Sequence, residues 1–164
     1  MAANAGRILG IDPGLNITGY GVIEPDGARA RVCEAGIIRT TPKTDMAARV
    51  REIFEGVSEV VEQFMPSVMV VEQLYAHYNH PRTAILMGHA RGAIFLAAAL
   101  KDIAVLSYAA TRIKKTITGH GRASKEQVQR TIQQELGLAQ PPEPPDVADA
   151  LAGALCHFFL SRRA

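Results

Sequence analysis

The sequence has little of what several classes of protein require. It contains two cysteines, Cys33 and Cys156, which are too far apart for a C-x-x-C metal or redox motif, and it has no tryptophan. Its longest unbroken apolar run, residues 93–100, is far shorter than the ~18 residues of a membrane span, and no basic segment followed by an apolar stretch opens the chain. These absences exclude a disulfide scaffold and a transmembrane helix. We expect a cytoplasmic protein whose cysteines are small buried thiols.

An excess of charge of one sign is also missing. The chain has 18 Lys+Arg and 16 Asp+Glu, so its net charge is +2. A balanced total argues against a general polyanion binder, because sequence-independent binding of nucleic acid depends mostly on Lys and Arg. The balance is uneven along the chain, however: residues 73–130 hold nine basic and two acidic side chains, or +7, and the other residues together carry −5. This segment is a candidate phosphate-binding surface, although such a run is more often a solvated face.

The size of the chain limits its organisation. With 48% apolar residues among 164, it can bury a core without disulfide or metal crosslinks. At about 150 residues per domain the length predicts one domain. We therefore expect a single domain over residues 1–164, in which residues 1–6 and 161–164 are disordered tails.

The first 40 residues show the alternation and the turn residues of β-structure. Three antiparallel strands are predicted at residues 7–12, 17–24 and 31–40, with turns at Pro13-Gly14 and Asp26-Gly27. Apolar residues at steps of three and four then predict a crossover helix that begins at Thr44 or Asp45 and ends before Pro66.

Strands and helices alternate in the remaining sequence. The predicted elements are a strand at 68–71, a helix at 82–100, a strand at 103–107, a helix that starts with a capping box at 124–127 and ends near Gly137, and a helix at 146–161 capped by Asp146. Both strands are apolar enough to be buried on two faces. Gly88 and Gly92 share one side of their helix, which favours close packing against another helix, within the chain or across a dimer. The sum is an α/β fold with a mixed sheet of about five strands.

Four acidic residues occupy positions from which they could meet. Asp12 and Glu72 each end a predicted strand, where ligands collect in open α/β sheets. Asp146 and Asp149 lie three residues apart, on one face of the last helix. Each acid alone has an ordinary structural explanation as a turn residue, a strand end or a partner of the helix dipole. If the four converge, their repulsion requires a cation, and hard oxygen ligands select Mg²⁺ or Mn²⁺ over Zn²⁺.

Groups that could hold nucleic acid lie near these acids. Two divalent ions about 3.5–4 Å apart are the usual arrangement for in-line attack of water on a phosphodiester. The turn at residues 119–122, just before a helix, predicts backbone N–H groups that cradle a phosphate beside Arg122 and Lys125. Tyr75 and Tyr78, in the loop after the fourth strand, either stack on an unpaired base or pack as ordinary loop residues.

Seven segments resemble, in order, the motifs of the RuvC family of Holliday junction resolvases. They are Gly10-Ile-Asp-Pro-Gly14, Thr18-Gly-Tyr-Gly21, Val71-Glu-Gln73, Gly88-His-Ala-Arg-Gly92, Tyr108-Ala-Ala110, Lys114 to Lys125, and Asp146-Val-Ala-Asp-Ala-Leu-Ala152. The resemblance is collinear over about residues 7–160. It implies a ribonuclease H-like fold, a homodimer, and a metal-dependent endonuclease that nicks two like strands of a four-way DNA junction and leaves 5′-phosphate ends.

The resemblance also implies roles for individual residues. Its acidic quartet corresponds to Asp12, Glu72, Asp146 and Asp149, which would be catalytic and would bind two Mg²⁺ ions per subunit, with Mn²⁺ able to substitute. Its basic pair corresponds to Lys114 and Lys125, its junction-probing aromatic to Tyr75, and the further candidates for DNA binding are Arg82, Lys115 and Arg122. The family is associated with the branch-migration proteins RuvA and RuvB, which are expected partners.

Of three other functions that the sequence suggests, two stay open. The segment at residues 10–14, followed by Thr18-Gly19, also resembles the first phosphate loop of the actin, Hsp70 and sugar kinase superfamily, but 164 residues leave no room for that superfamily's second lobe. Another ribonuclease H-like nuclease, acting on RNA–DNA hybrids or ribosomal RNA precursors, is a nearer alternative. The third is a catalytically silent junction-binding protein, against which the four acids argue because they would repel phosphate.

Overall fold

The computed structural model describes residues 6–74 and 80–163, which form a five-stranded sheet with helices on both faces. The strands are β1 (Ile8–Asp12), β2 (Ile17–Asp26), β3 (Arg29–Arg39), β4 (Val68–Glu72) and β5 (Ala104–Tyr108), and the helices are α1 (Met46–Phe64), α2 (Pro81–Ala99), α3 (Ala110–Thr118), α4 (Lys125–Glu135) and α5 (Pro145–Ser161). This arrangement confirms the predicted α/β class and the mixed sheet. No helix within the described residues combines the length and the apolar character that crossing a membrane needs.

The strand order β3-β2-β1-β4-β5 places the ends of β1 and β4 side by side. β2 is antiparallel to both β1 and β3, as the predicted meander requires, whereas β4 and β5 run parallel to β1. In register, Ile11 lies opposite Val71. The next residues, Asp12 and Glu72, therefore lie side by side at the carboxyl ends of their strands.

Two cores cover the two faces of the sheet. One lies under α3, α4 and α5 and includes Ile8 and Val70; the other lies under α1 and α2 and includes Leu9 and Val71. Because successive strand residues point to opposite faces, this alternation directs Asp12 toward the α5 side. Glu72 follows Val71 and takes the same side.

Glycines on β1 and β2 let α5 lie unusually close to the sheet. A Cβ added at Gly10 would stand 1.9 Å from the carbonyl oxygen of Ala150, and one at Gly21 would stand 2.5 Å from a methyl carbon of Leu151. Any larger residue would push the helix outward. The close approach carries the first turns of α5 over the end of β1.

Several local predictions hold. Asp45 caps α1 by accepting from the backbone N–H of Ala48, and α4 opens with the predicted capping box of Ser124 and Gln127. After α4, Gly137 adopts a left-handed backbone with φ 63°. These turns and caps depend on neighbouring residues alone, so local sequence was sufficient to predict them.

The prediction that β5 is buried on both faces is wrong. Ala104, Leu106 and Ser107 are exposed, because β5 is an edge strand with one neighbour and the helices lie mainly over the centre of the sheet. Helix α3 was not predicted at all. It has nine residues, and its two large apolar residues, Ile113 and Ile117, are both buried.

The cap predicted for the last helix is also wrong. Pro144 is the N-cap of α5, and Asp146 lies within the first turn without a capping hydrogen bond. Proline suits the first helical position, since it has no N–H to satisfy there, so the helix begins at Pro145 and leaves the Asp146 carboxylate to other contacts.

Three further expectations concern the helix glycines, the tails and the cysteines. A Cβ at Gly88 or Gly92 would meet no atom of residues 6–74 or 80–163 within 4 Å, so the described part of the chain does not pack closely there, and packing across a dimer stays a prediction. At the C-terminus, Ser161 is the last residue of α5 and the Arg162 guanidinium donates to the carbonyl oxygen of Gly27, whereas residues 1–5 and 164 are outside the described chain. Cys156 is buried and Cys33 is half-buried.

Candidate active site

The structure brings the four predicted acids together at one edge of the sheet. Asp12 ends β1, Glu72 ends β4, and the first turns of α5 supply Asp146 and Asp149. Burial and the negative charges of the other three acids raise the pKa of Asp12 to about 8, and the Asp146 carboxyl is close enough to hydrogen-bond with it. Burial is the largest of these causes, followed by the charge of Asp149.

Two lysines oppose the carboxylates from the α3 and α4 side. Burial is the largest cause that raises the pKa values of Glu72 and Asp149, and Lys114 and Lys125 lower both. These lysines therefore lie within electrostatic reach of the acids. A cavity of about 260 Å³ separates the two groups; its lining consists of Glu72, Ala110, Ile113, Lys114, Lys125, Val128, Asp149 and Ala152.

One glycine controls how near Asp146 comes to Asp12. Gly19 lies directly opposite Asp12 in the β1–β2 register, and a Cβ added there would be 2.1 Å from the carbonyl oxygen of Asp146. Backbone atoms cannot yield as a flexible side chain can. The start of α5 thus reaches the end of β1 only because position 19 has no side chain.

The turn after β1 is held by buried hydroxyl groups. The side chain of Thr18 donates to the carbonyl oxygen of Gly14 at 2.8 Å and accepts from the same residue's N–H at 3.3 Å. Thr40 donates to the carbonyl oxygen of Leu15 at 2.7 Å and accepts from the guanidinium of Arg49 at 3.0 Å. These bonds fix the backbone immediately beyond Asp12, and so limit how far its carboxylate can move.

Sequence reasoning counted Arg91 among the basic residues but gave it no role. Its guanidinium donates to the backbone carbonyl oxygen of Glu72, and its charge lowers the pKa of that carboxyl group. It also lies over the ring of Phe95, at 5.1 Å from its centre. Its place in the Gly88–Gly92 motif was a signal, because a helical arginine close to the end of β4 can reach that strand.

The remaining predicted DNA-binding residues are more scattered. Lys115 and Arg122 are exposed and are not among the charges that shift the pKa values of the acids. Arg82 is exposed in the first turn of α2. Tyr75 and Tyr78 lie outside the described residues.

The chain itself uses two of the four amides in the predicted phosphate cradle at residues 119–122. The N–H of Gly119 donates to the carbonyl oxygen of Lys115, and that of His120 donates to the hydroxyl of Thr118 at 3.1 Å. These groups close the end of α3. Binding of phosphate there would therefore rely on the amides of Gly121 and Arg122 and on side chains, rather than on these two amides.

The chemistry of the acids fits a hard divalent cation. Four carboxylates supply oxygen ligands without histidine or cysteine, and the raised pKa of Asp12 shows how costly their shared negative charge is. Within the described residues, no three His, Cys, Asp or Glu side chains already form a ligand set, so the carboxylates would have to rotate toward an ion.

Comparison with known proteins identifies close relatives over nearly the whole chain. A family model for crossover junction endodeoxyribonuclease RuvC matches residues 8–157. The RuvC of Rhodopirellula baltica is 51% identical over 158 residues, 96% of this chain and 89% of that protein. The RuvC of Hydrogenovibrio crunogenus is 46% identical over 151 residues, 92% of this chain and 86% of that protein.

Solved structures agree. Thermus thermophilus RuvC is 36% identical with a TM-score of 0.88, and the same protein in complex with a Holliday junction substrate is 35% identical with a TM-score of 0.90; each match covers 96% of both chains. The ribonuclease H-like fold expected from the sequence motifs is thereby confirmed. This chain belongs to the RuvC family of crossover junction endodeoxyribonucleases.

Proposed function

We propose that this protein resolves four-way (Holliday) junctions in homologous recombination and DNA repair, by hydrolysing phosphodiesters in two like strands. The observation that carries the proposal is the meeting of four carboxylates with Lys114 and Lys125 at one edge of the sheet. A relative that is 35% identical over 96% of both chains is known in complex with a Holliday junction substrate, which supports this choice of DNA.

We propose Asp12, Glu72, Asp146 and Asp149 as ligands of two Mg²⁺ ions, with Mn²⁺ as a substitute. When bound, the ions would activate the attacking water and stabilise the leaving oxygen. Asp12 is the natural shared ligand, because the charges of the other three acids all act on it. Glu72 would complete the set for one ion, and Asp149 with Asp146 the set for the other.

Lys114 and Lys125 would hold backbone phosphates across the cavity from the acids. They offset the carboxylates in the free protein and can offset the charge that develops on the scissile phosphate in the transition state. Lys115 and Arg122 would extend the basic surface on that side, and Arg82, at the start of α2, would add a separate DNA contact. Tyr75 would stack on a base at the junction, as the family resemblance implies.

We further propose a homodimer that forms through the outer face of α2. Ile85, Gly88, Gly92 and Leu96 follow one another at helical spacing; Ile85 is 62% and Leu96 51% exposed, and the two glycines leave open space. A second copy of the same helix fits such a face. A two-fold symmetric dimer would present two equivalent sites to a substrate of matching symmetry. RuvA and RuvB are the proposed protein partners.

A substrate comparison tests this function. The protein is incubated with Mg²⁺ and, in parallel, with a synthetic four-way junction, a linear duplex and an RNA–DNA hybrid. Symmetric nicks in the junction alone, with ends that ligase can seal, are the expected result. Preferential cleavage of the hybrid would contradict the proposal and favour a general ribonuclease H-like activity.

The Asp12→Asn variant separates chemistry from binding. We expect it to cut at least about 1,000-fold more slowly, because the shared ligand is lost, while it binds the junction as tightly as the unchanged protein or more tightly. Gel-shift titration and single-turnover cleavage on one junction measure both. Loss of binding together with cleavage would mean that Asp12 has a structural role instead.

A further inference from the structure

One arginine at the same end of the sheet as the acids, on β3, has no role in the proposed mechanism. Arg39 is the last residue of β3 and pairs in register with Ile17. Gly19, two residues further along β2, pairs with Asp12 and faces Asp146. Since residues two apart on a strand share a face, Arg39 lies on the α5 side of the sheet, as Asp12 does.

Arg39 and the two lysines stand on opposite sides of the acids. From Asp12, the strand order leads through β2 to Arg39 in one direction and through Glu72 toward Lys114 and Lys125 in the other. With strands about 4.8 Å apart and a rise of about 3.4 Å per residue, the Cα atoms of Arg39 and Asp12 are about 12 Å apart. This end of the sheet is therefore basic at Arg39, acidic at the four carboxylates, and basic again at the two lysines.

The charge of Arg39 is available to a ligand. Its side chain is exposed, and within residues 6–74 and 80–163 it forms no ion pair with a carboxylate. Arg31 of the same strand, by contrast, pairs with Glu24. An exposed guanidinium, with its planar set of donors, suits a phosphate group.

We propose that Arg39 binds a backbone phosphate of the strand that is cut, on the side of the scissile phosphate opposite to the phosphates held by Lys114 and Lys125. This inference depends on the proposed function. A separation of about 12 Å places that phosphate within a few nucleotides of the scissile one. Contacts on both sides hold the strand in one direction across the acids, as in-line attack requires.

Binding measurements on paired variants test the contact. Arg39→Ala, Arg39→Lys and the control Arg29→Ala are made in the Asp12→Asn background, so that the junction stays uncut. Arg29 is exposed on the same strand, about 34 Å away at its other end. We expect Arg39→Ala to weaken binding about tenfold and to reduce the slope of log affinity against log salt by about 1, with Arg39→Lys in between and Arg29→Ala within twofold of the parent.

Neutral phosphates then locate the contact. Single methylphosphonates are placed at each position within five nucleotides on either side of the cleavage point. At one position, the substitution should weaken binding of the parent protein but not that of Arg39→Ala. The corresponding position for Lys125→Ala should fall on the other side of the cleavage point.

Three results would overturn the inference. Arg39→Ala could match Arg29→Ala in affinity and salt slope, it could weaken binding without a change of slope and without a sensitive position, or its sensitive position could fall on the lysine side. In each case the junction is still bound and the proposed function stands. If neither the unchanged protein nor the Asp12→Asn parent binds the junction, both proposals fail together.

Discussion

At the scale of single residues, Asp12 has the largest pKa shift among the described residues. Burial and three neighbouring acids raise its pKa from 3.8 to about 8, so the folded protein holds a proton that the unfolded chain releases. The contribution of this group to stability is complete below pH 4 and is lost as the pH rises through about 8. Ionised Asp12 therefore destabilises the fold most at alkaline pH without metal.

Asp12→Asn should remove this destabilisation. In EDTA, we expect the variant to melt about 5 °C or more above the unchanged protein at pH 8, and nearly level with it at pH 4. Thermal melts over this pH range measure the difference. Asp26→Asn, at an exposed strand end, should show no such trend. A gap between Asp12→Asn and the unchanged protein that does not grow with pH would contradict the assigned pKa.

The absence of a side chain at position 19 matters as much as any charge. Gly19→Ala would put a methyl group against the backbone of Asp146, so the first turn of α5 must move away from Asp12. We expect at least a 100-fold loss of cleavage with a smaller loss of junction binding. Gly153→Ala is the matched control on α5: its added methyl would meet Val70 at an ordinary 3.5 Å. Equal activity of both variants would show that the close approach is not needed.

At the scale of elements, sequence predicted what neighbouring residues decide and missed what distant ones decide. The caps at Asp45 and Ser124 depend on side chains within three residues, and both were predicted. β5 looked as buried as β4, because an apolar run does not show whether a strand has one neighbour or two. α3 was missed because Ile113 and Ile117 are too few to define a helical face.

The same division applies to the site. The four acids could be chosen from strand ends, helical spacing and family motifs. Their convergence could not, because it depends on the close contact of α5 with β1 and β2. The bond from Arg91 to the carbonyl oxygen of Glu72 likewise joins residues 19 apart on different elements. No local pattern encodes such a contact.

A prediction at the scale of elements concerns the outer face of α2. Leu96→Glu should place a charge in the proposed dimer interface and convert dimers to monomers at micromolar concentration. Sedimentation velocity measures the change, and paired nicking of both like strands should become uncoupled. The control is Met65→Glu, at a residue 77% exposed just after α1. A Leu96→Glu protein that still sediments as a dimer would place the interface elsewhere.

For the whole molecule, a net charge of +2 is the sum of a basic segment and an acidic remainder. Residues 73–130 carry +7 and the remainder −5, and four of the sixteen acids stand together beside the cavity. Without metal, these acids repel the phosphate that the lysines attract. Two divalent ions would add four positive charges at this point.

Junction affinity should therefore depend on divalent ions and not on monovalent salt alone. At constant ionic strength, we expect EDTA to weaken binding by the unchanged protein about tenfold relative to Mg²⁺, because uncompensated carboxylates face the DNA. Above pH 8, where the Asp12 carboxyl is ionised, Asp12→Asn should be less sensitive to EDTA, since it carries one repelling charge fewer. Fluorescence anisotropy with a labelled junction, measured before the junction is cut, gives both affinities. If Mg²⁺ and EDTA gave equal affinities for the unchanged protein, the acids would have to lie away from the DNA path, and their proposed role at the scissile phosphate would fail with them.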